Sequence, residues 1–180
     1  MTNYNRYFLP GGTYFFTVNL AERDKTLLID RVNELRKVFA QVKDEQPFII
    51  DAIVILPDHL HTIWTLPEGD SDFPNRWRKI KGGFSKLLPK GERLSESRKS
   101  KGERGVWQRR YWEHVIRDDL DYERHVDYIH YNPLKHGYCQ RVKDWSYSSF
   151  QQFVDKGIYA KNWGDDFYNC DIEFGESLEC

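Results

Sequence analysis

The sequence predicts an α+β domain of ferredoxin-like topology, in which an antiparallel sheet has its helices packed on one face. Three observations lead to this prediction. Strand-like and helix-like segments follow one another in the order strand, helix, strand, strand, helix, strand, helix. The 180 residues suit one domain with a tail, and contents of 39% hydrophobic and 16% aromatic residues are enough for a core. No apolar run approaches the roughly 20 residues that span a membrane, so we expect no membrane partner.

The first half of the chain predicts a strand, a helix and a hairpin. Residues 13–20 read TYFFTVNL after a Pro-Gly-Gly turn signal, a β-branched and aromatic composition that is typical of a strand. Residues 27–42 have apolar side chains at spacings of three and four, which predicts an amphipathic helix, and Pro47 ends any continuation. Residues 48–56 and 59–66 are joined by a Pro-Asp turn, which predicts two strands in a hairpin.

The second half predicts a helix, a loop, a strand and a last helix. Residues 76–88 have a largely apolar side and predict the second helix. Residues 89–105 consist almost wholly of Lys, Arg, Glu, Ser and Gly, which predicts a basic flexible loop. Residues 106–117 alternate as a strand does. Residues 120–132 predict the third helix, which Pro133 is expected to stop.

These elements place the predicted domain at residues 1–145 and leave residues 146–180 as a C-terminal tail. The three cysteines, Cys139, Cys170 and Cys180, are odd in number and lack C-x-x-C spacing. We interpret them as reduced thiols of a cytoplasmic protein.

Charge is distributed unevenly along the chain. Residues 75–110 contain thirteen Lys or Arg and three Glu, a net charge of +10, although the whole chain has a net charge of −1. Aromatic residues, among them Trp77, Phe84 and Trp107, interrupt this basic segment. Basic residues neutralise phosphates and aromatic rings stack on bases, so the segment indicates single-stranded nucleic acid, although a solvated surface is an alternative. Our candidates for backbone contacts are Arg76, Arg78, Lys79, Lys81, Arg109 and Arg110.

The third predicted strand contains two histidines, His59 and His61, in the run HLHTIWTL. Side chains two positions apart share one face of a strand, so both imidazoles point the same way. Two imidazoles aimed at one point are what a divalent metal requires of its protein. The pattern alone also fits a pair of half-buried structural histidines.

The third predicted helix has two different faces. Tyr122, Val126 and Ile129 can pack on the sheet. A separate stripe at steps of four, three and four comprises Asp121, His125, Tyr128 and Asn132. A phenol, a carboxamide and an imidazole make a poor core, and a functional interpretation requires this stripe to face the two histidines. The alternatives are a tyrosine with a hydrogen-bonded hydroxyl and an asparagine at a helix end.

Four motifs together resemble a known family. They are HLH after a strand, WQRRYWEHVIRDD, HVDYIHYNPLKHG and DWSYSSF. With these motifs at these separations, the sequence resembles the REP-associated tyrosine transposases, which belong to the single-tyrosine HUH endonucleases. The resemblance extends over about residues 4–163, nearly the whole chain.

The resemblance implies a role for four residues. His59 and His61 would bind Mg²⁺ or Mn²⁺, and Tyr128 would be the catalytic nucleophile. Asn132 would supply the third metal ligand, at a position where related transposases commonly have Gln. Tyr131 is the nearest rival nucleophile, but it lies on another face of the helix.

The resemblance also implies the reaction and its partner. Tyr128 would attack single-stranded DNA that carries REP hairpins next to a short tetranucleotide, and would form a covalent 5′-phosphotyrosine. No phosphate-binding loop motif is present, so no nucleotide cofactor is expected. Such a protein works at the nucleoid, as a monomer or a homodimer. One alternative is a non-catalytic hairpin binder with a regulatory or architectural role. Another is an RNA-binding domain, although the RNA-binding aromatic motif is missing from the sequence.

Overall fold

The computed structural model describes residues 6–23 and 25–165. Its strands are β1 (Thr13–Asn19), β2 (Ile49–Ile55), β3 (His59–Thr65) and β4 (Trp112–Val115). Its α-helices are α1 (Leu27–Asp30), α2 (Val32–Glu45), α3 (Phe73–Leu87), α4 (Glu96–Ser100), α5 (Asp119–Lys135) and α6 (Phe150–Asp155). Cys139 is a free thiol, whereas Cys170 and Cys180 lie outside the described residues. Within the two described ranges, none of the helices combines the length and the apolar content that crossing a bilayer requires.

The four strands form one antiparallel sheet in the order β2-β3-β1-β4. The predicted α+β class with an antiparallel sheet is therefore confirmed. β1 pairs with β3 in a register that sets Thr17 opposite His61 and Asn19 opposite His59. A tight turn joins β2 to β3, and the amide of Leu56 donates to the carbonyl of His59 across it at 2.9 Å. The histidine pair therefore begins a central strand, directly after a turn.

Helices α2 and α3 cover one face of the sheet. Trp64 of β3 stacks on Trp77 of α3, with ring centroids 4.3 Å apart and planes at 16°. Phe39 of α2 meets both indoles edge-on at about 6 Å. Burying each of these rings removes roughly 150–250 Å² from water, so this face supplies much of the apolar stabilisation.

Helix α5 covers the opposite face, where its Val126 and Ile129 pack on Phe15 of β1 and Ile63 of β3. The expectation that all helices lie on one face therefore does not hold for α5. The physical reason is that the central strands are apolar on both faces, since Phe15 and Ile63 alternate with residues of the other core. The two histidines point toward the α5 side.

The fourth strand is shorter than the sequence predicts. Residues 106–117 were expected to be extended, but only Trp112–Val115 pair as β4. Trp107 instead packs its ring on Phe84 of α3 at 5.4 Å and donates its Nε1 proton to the carbonyl of Lys81 at 3.2 Å. The backbone of Trp107 still forms an isolated antiparallel bridge with Leu20, so the segment meets the sheet at two separate places.

The prediction that Pro133 stops the last helix is wrong, because α5 continues to Lys135. A proline removes one donor of the helical ladder, and the following turn still forms, with His136 N donating to Asn132 O at 3.0 Å. Gly137, at φ 72°, ends the helix in the left-handed region that glycine adopts readily. The additional turn brings His136 to the end of the helix, beside the histidine pair.

The basic segment at residues 89–105 contains the short helix α4. An ion pair between Arg104 and Glu92 links the two ends of this segment. Beyond residue 145 the chain returns to the sheet, where Ser148 forms a bridge with Val54 and the Ser149 hydroxyl is 2.9 Å from the amide of Ile53. The domain limit at residue 145 stays a prediction.

Candidate metal and nucleophile site

The site begins with His59 and His61, which lie side by side on β3. Their ring centroids are 5.0 Å apart and their planes are nearly perpendicular at 87°. Both side chains are buried, at 4% and 2% exposure. Two imidazoles at this separation can direct one nitrogen each toward a common point.

Each histidine already uses its Nδ1 atom within the protein. Nδ1 of His59 is 2.6 Å from a carboxylate oxygen of Asp58, and Nδ1 of His61 is 2.8 Å from the hydroxyl of Thr17. Nε2 of His61 is buried and has no hydrogen-bond partner among the described residues. Burial lowers the pKa of His59, against the effect of Asp58, and lowers the pKa of His61 well below its ordinary value. Both rings are therefore neutral at neutral pH, as metal ligation requires.

Helix α5 brings Tyr128 and Asn132 to the same place. Its N-terminus is fixed by Asp118, whose carboxylate accepts from the amide of Asp121 at 2.8 Å. The Tyr128 ring lies edge-on to His61, with centroids 5.0 Å apart. The amide group of Asn132 is fully buried, and neither of its polar atoms has a hydrogen-bond partner within the described part of the chain.

Two further residues of α5 and its C-terminus complete this site, and the sequence analysis did not include them. His136 lies 5.4 Å from His59, ring centroid to ring centroid. The Lys135 ammonium is 5.1 Å from the centre of the Tyr128 ring. Tyr128, Asn132 and His136 are spaced by four, so Asn132 lies between a residue that contacts His61 and one that contacts His59. That spacing was visible in the sequence, but ending the helix at Pro133 concealed it.

A second polar cluster is made of His114, Asp121 and His125, and the Phe15 ring contacts both His125 of this cluster and His61. Nε2 of His114 is 2.8 Å from one Asp121 carboxylate oxygen, and Nδ1 of His125 is 3.1 Å from the other. Burial opposes ionisation of Asp121, but the bonds from His114 and from the Arg117 amide hold the pKa of Asp121 below its usual value. The three side chains are close enough to hold a metal ion. In the structure they bond to one another.

Of the six predicted DNA contacts, Arg76 is excluded by its position. Its side chain is 2% exposed and forms an ion pair with Asp70 at 2.6 Å. It also donates to the backbone carbonyls of Gln46 and Pro47. Arg76 therefore anchors the start of α3, and the prediction that it contacts a phosphate is wrong.

The other five candidates differ in how free their charges are. Burial lowers the pKa of Lys81 to about 8, and its ammonium donates to the carbonyls of Gln108 and Arg109. Lys79 pairs with Glu45 on the surface, and Arg109 pairs with Glu103 at 2.8 Å. A groove of about 620 Å³ brings together basic residues of α3 and of the following segment: Arg78, Lys81, Lys86, Arg98, Arg104 and Arg109. Three of these, Lys86, Arg98 and Arg104, were not among the candidates. Arg110 is exposed.

The chain is similar to known transposases. The family model described as "Transposase IS200 like" matches residues 12–132. The chain is 44% identical over 178 residues to a REP-associated tyrosine transposase of Escherichia coli K12, covering 99% of each chain. It is 48% identical over 165 residues to a putative REP-associated tyrosine transposase of Haemophilus influenzae, covering 91% of this chain and 94% of the relative. A solved REP-associated tyrosine transposase bound to a REP hairpin is similar over 100% of both chains, at 44% identity and a TM-score of 0.81.

Proposed function

The chain belongs to the IS200-like transposase family and is a tyrosine transposase, and from this premise we propose that it cuts and rejoins single-stranded DNA at REP hairpins through a covalent phosphotyrosine. The observation that supports this proposal most is the edge-on contact between the rings of Tyr128 and His61 across the β3–α5 interface. Tyr128 and His61 come from different elements, 67 positions apart in the chain. A purely structural tyrosine has no need of that arrangement.

The residues present fit a divalent metal. Nε2 of His61 and the Asn132 amide are buried polar groups without a partner among the described residues, and leaving such groups unpaired is costly. His59, His61 and Asn132 would hold Mg²⁺ or Mn²⁺, which when bound withdraws charge from the scissile phosphate and holds it for in-line attack. Two nitrogens and an amide oxygen leave coordination positions for phosphate oxygens and water.

Tyr128 would perform the chemistry. Its phenol oxygen forms a bond to phosphorus while the bond from phosphorus to the 3′ oxygen breaks, and the phenol proton leaves as that oxygen becomes a 3′-hydroxyl. A phenol is a poor nucleophile until it is deprotonated. The Lys135 ammonium, 5.1 Å from the centre of the Tyr128 ring, places a positive charge beside the nucleophile. Attack by another 3′-hydroxyl reverses the step, so no nucleotide cofactor is consumed.

The substrate we propose is single-stranded DNA with a REP hairpin and an adjacent tetranucleotide, acted on in the cytoplasm at the nucleoid. The solved relative bound to a REP hairpin supports the hairpin as partner. Arg78 of the basic groove and the exposed Arg110 are our candidates for phosphate contacts. Lys79, Lys81 and Arg109 stay weaker candidates because protein groups engage their charges.

The test is adduct formation. Wild-type protein, Mn²⁺ and a hairpin oligonucleotide labelled at its 3′ end should give a labelled protein band, because the tyrosine retains the 5′ end of the downstream fragment. Tyr128→Phe should abolish the band and keep hairpin binding, whereas the matched control Tyr131→Phe should retain both. An adduct from Tyr128→Phe would refute the nucleophile. Cleavage without any adduct would favour hydrolysis, and tight binding without cleavage would favour a regulatory hairpin binder.

A further inference from the structure

The two histidines of the site are held by partners that differ in chemistry. Asp58, in the turn before β3, places Oδ1 2.6 Å from Nδ1 of His59. Thr17, opposite His61 in the β1–β3 register, places its hydroxyl 2.8 Å from Nδ1 of that ring. In both cases the partner contacts Nδ1, so in both rings Nε2 is the nitrogen left for a ligand.

The partner determines which tautomer a neutral imidazole adopts. A neutral ring has one N–H, and an ionised carboxylate can only accept. Asp58 therefore requires the proton of His59 to be on Nδ1 and places the lone pair on Nε2. A hydroxyl can donate or accept, so Thr17 permits this tautomer in His61 without enforcing it.

Asp58 is itself held in place. Its side chain is 8% exposed, and its second oxygen forms an ion pair with Arg23, which also donates to Asn19 at 3.0 Å. The backbone amide of Leu20 donates to the carbonyl of Asp58 at 2.8 Å. The carboxylate therefore cannot turn away from His59 without losing the Arg23 pair.

We propose that Asp58 and Thr17 are positioning residues: Asp58 holds His59 as the Nδ1–H tautomer, and Thr17 orients His61 in a geometry that accommodates the same tautomer. The proposal rests on the proposed function only where it concerns the metal. Removing a partner behind a metal-binding histidine typically costs 10–100-fold in metal affinity. We expect about that loss of Mn²⁺ affinity in Asp58→Asn, and a smaller loss in Thr17→Val.

The first measurement needs neither metal nor DNA. Long-range ¹H–¹⁵N correlation spectra of the metal-free protein near pH 7.5 distinguish the two tautomers of each ring. The wild type should show Nδ1–H for His59 and His61, and Asp58→Asn should give mixed tautomers at His59. Asp51→Asn is the matched control, because Asp51 accepts from Thr65 at 2.8 Å on the same sheet without contacting either histidine.

The second measurement is Mn²⁺ titration calorimetry on the same variants. A folded Asp58→Asn that keeps the wild-type tautomer and Mn²⁺ affinity would overturn the proposal. If Asp58→Asn does not fold, Asp58→Ser removes the carboxylate instead, and an unchanged His59 tautomer together with unchanged Mn²⁺ affinity there would overturn the proposal equally. If the tautomers change as expected but no variant, wild type included, binds Mn²⁺, the metal-dependent function fails and the positioning role stands.

Discussion

Replacing Asn132 by Leu should stabilise the metal-free protein and abolish metal binding. The two side chains branch alike, but leucine has no polar atoms. Asn132 is fully buried, and neither Oδ1 nor Nδ2 has a partner among the described residues. A buried polar group without a hydrogen bond costs about 1–3 kcal/mol. We therefore expect the free energy of unfolding of metal-free Asn132→Leu to exceed that of wild type by about that amount.

In the presence of metal, wild type should become more stable than Asn132→Leu. Metal that binds only the folded state stabilises it by about 2.7 kcal/mol at a concentration one hundred times Kd. Wild type should gain this stabilisation and Asn132→Leu should not. The assay is urea unfolding of both proteins, once with EDTA and once with Mn²⁺. Asn132→Gln, which retains the amide oxygen, serves as the control and should keep a Mn²⁺ response. An Asn132→Leu protein that is stabilised by Mn²⁺ as strongly as wild type would refute Asn132 as a ligand.

Three further predictions concern the fold and the basic surface. Burial lowers the pKa of His130 from 6.5 to about 3, so below pH 6.5 the unfolded chain gains a proton that the folded chain does not. The free energy of unfolding of wild type should therefore fall by about 2 kcal/mol from this group between neutral pH and pH 5. In His130→Gln, the dependence of the unfolding free energy on pH over this range should lack that contribution. Arg76→Met breaks a mostly buried ion pair and should lower the free energy of unfolding, measured in urea, by about 3 kcal/mol. Because Arg76 is buried, the salt dependence of hairpin binding should not change. A weaker salt dependence in this variant would restore Arg76 as a phosphate contact. Arg78→Gln and Arg110→Gln should each reduce the slope of log affinity against log salt by about 1 in hairpin-binding titrations while leaving the free energy of unfolding within about 0.5 kcal/mol of wild type. Slopes equal to wild type would remove these residues from the interface.

Local sequence was a good guide where one pattern dominated a segment. The alternation around His59 and His61 predicted a strand with both rings on one face, and the strand β3 has that form. The spacing within α5 predicted Val126 and Ile129 on the sheet side, and both are in the core. Residues 106–117 were predicted as one strand, but they pair with the sheet only at the Trp107–Leu20 bridge and over Trp112–Val115, and the ring of Trp107 packs on Phe84 of α3.

Charge was the least reliable guide. Arg76 belongs to the most basic segment of the chain, but its guanidinium is bonded to Asp70 and to backbone carbonyls. A sequence shows how many charges a segment has. It does not show which of them are paired inside the fold.

The sequence by itself determined which chemical groups are available and which face of its own element each occupies, because the periods of strands and helices are properties of the local backbone. Only the tertiary structure decided that Tyr128 contacts His61, that His136 reaches His59, and that α5 covers the second face of the sheet. These contacts depend on how apolar faces far apart in the chain are buried against each other, and no local pattern encodes that pairing.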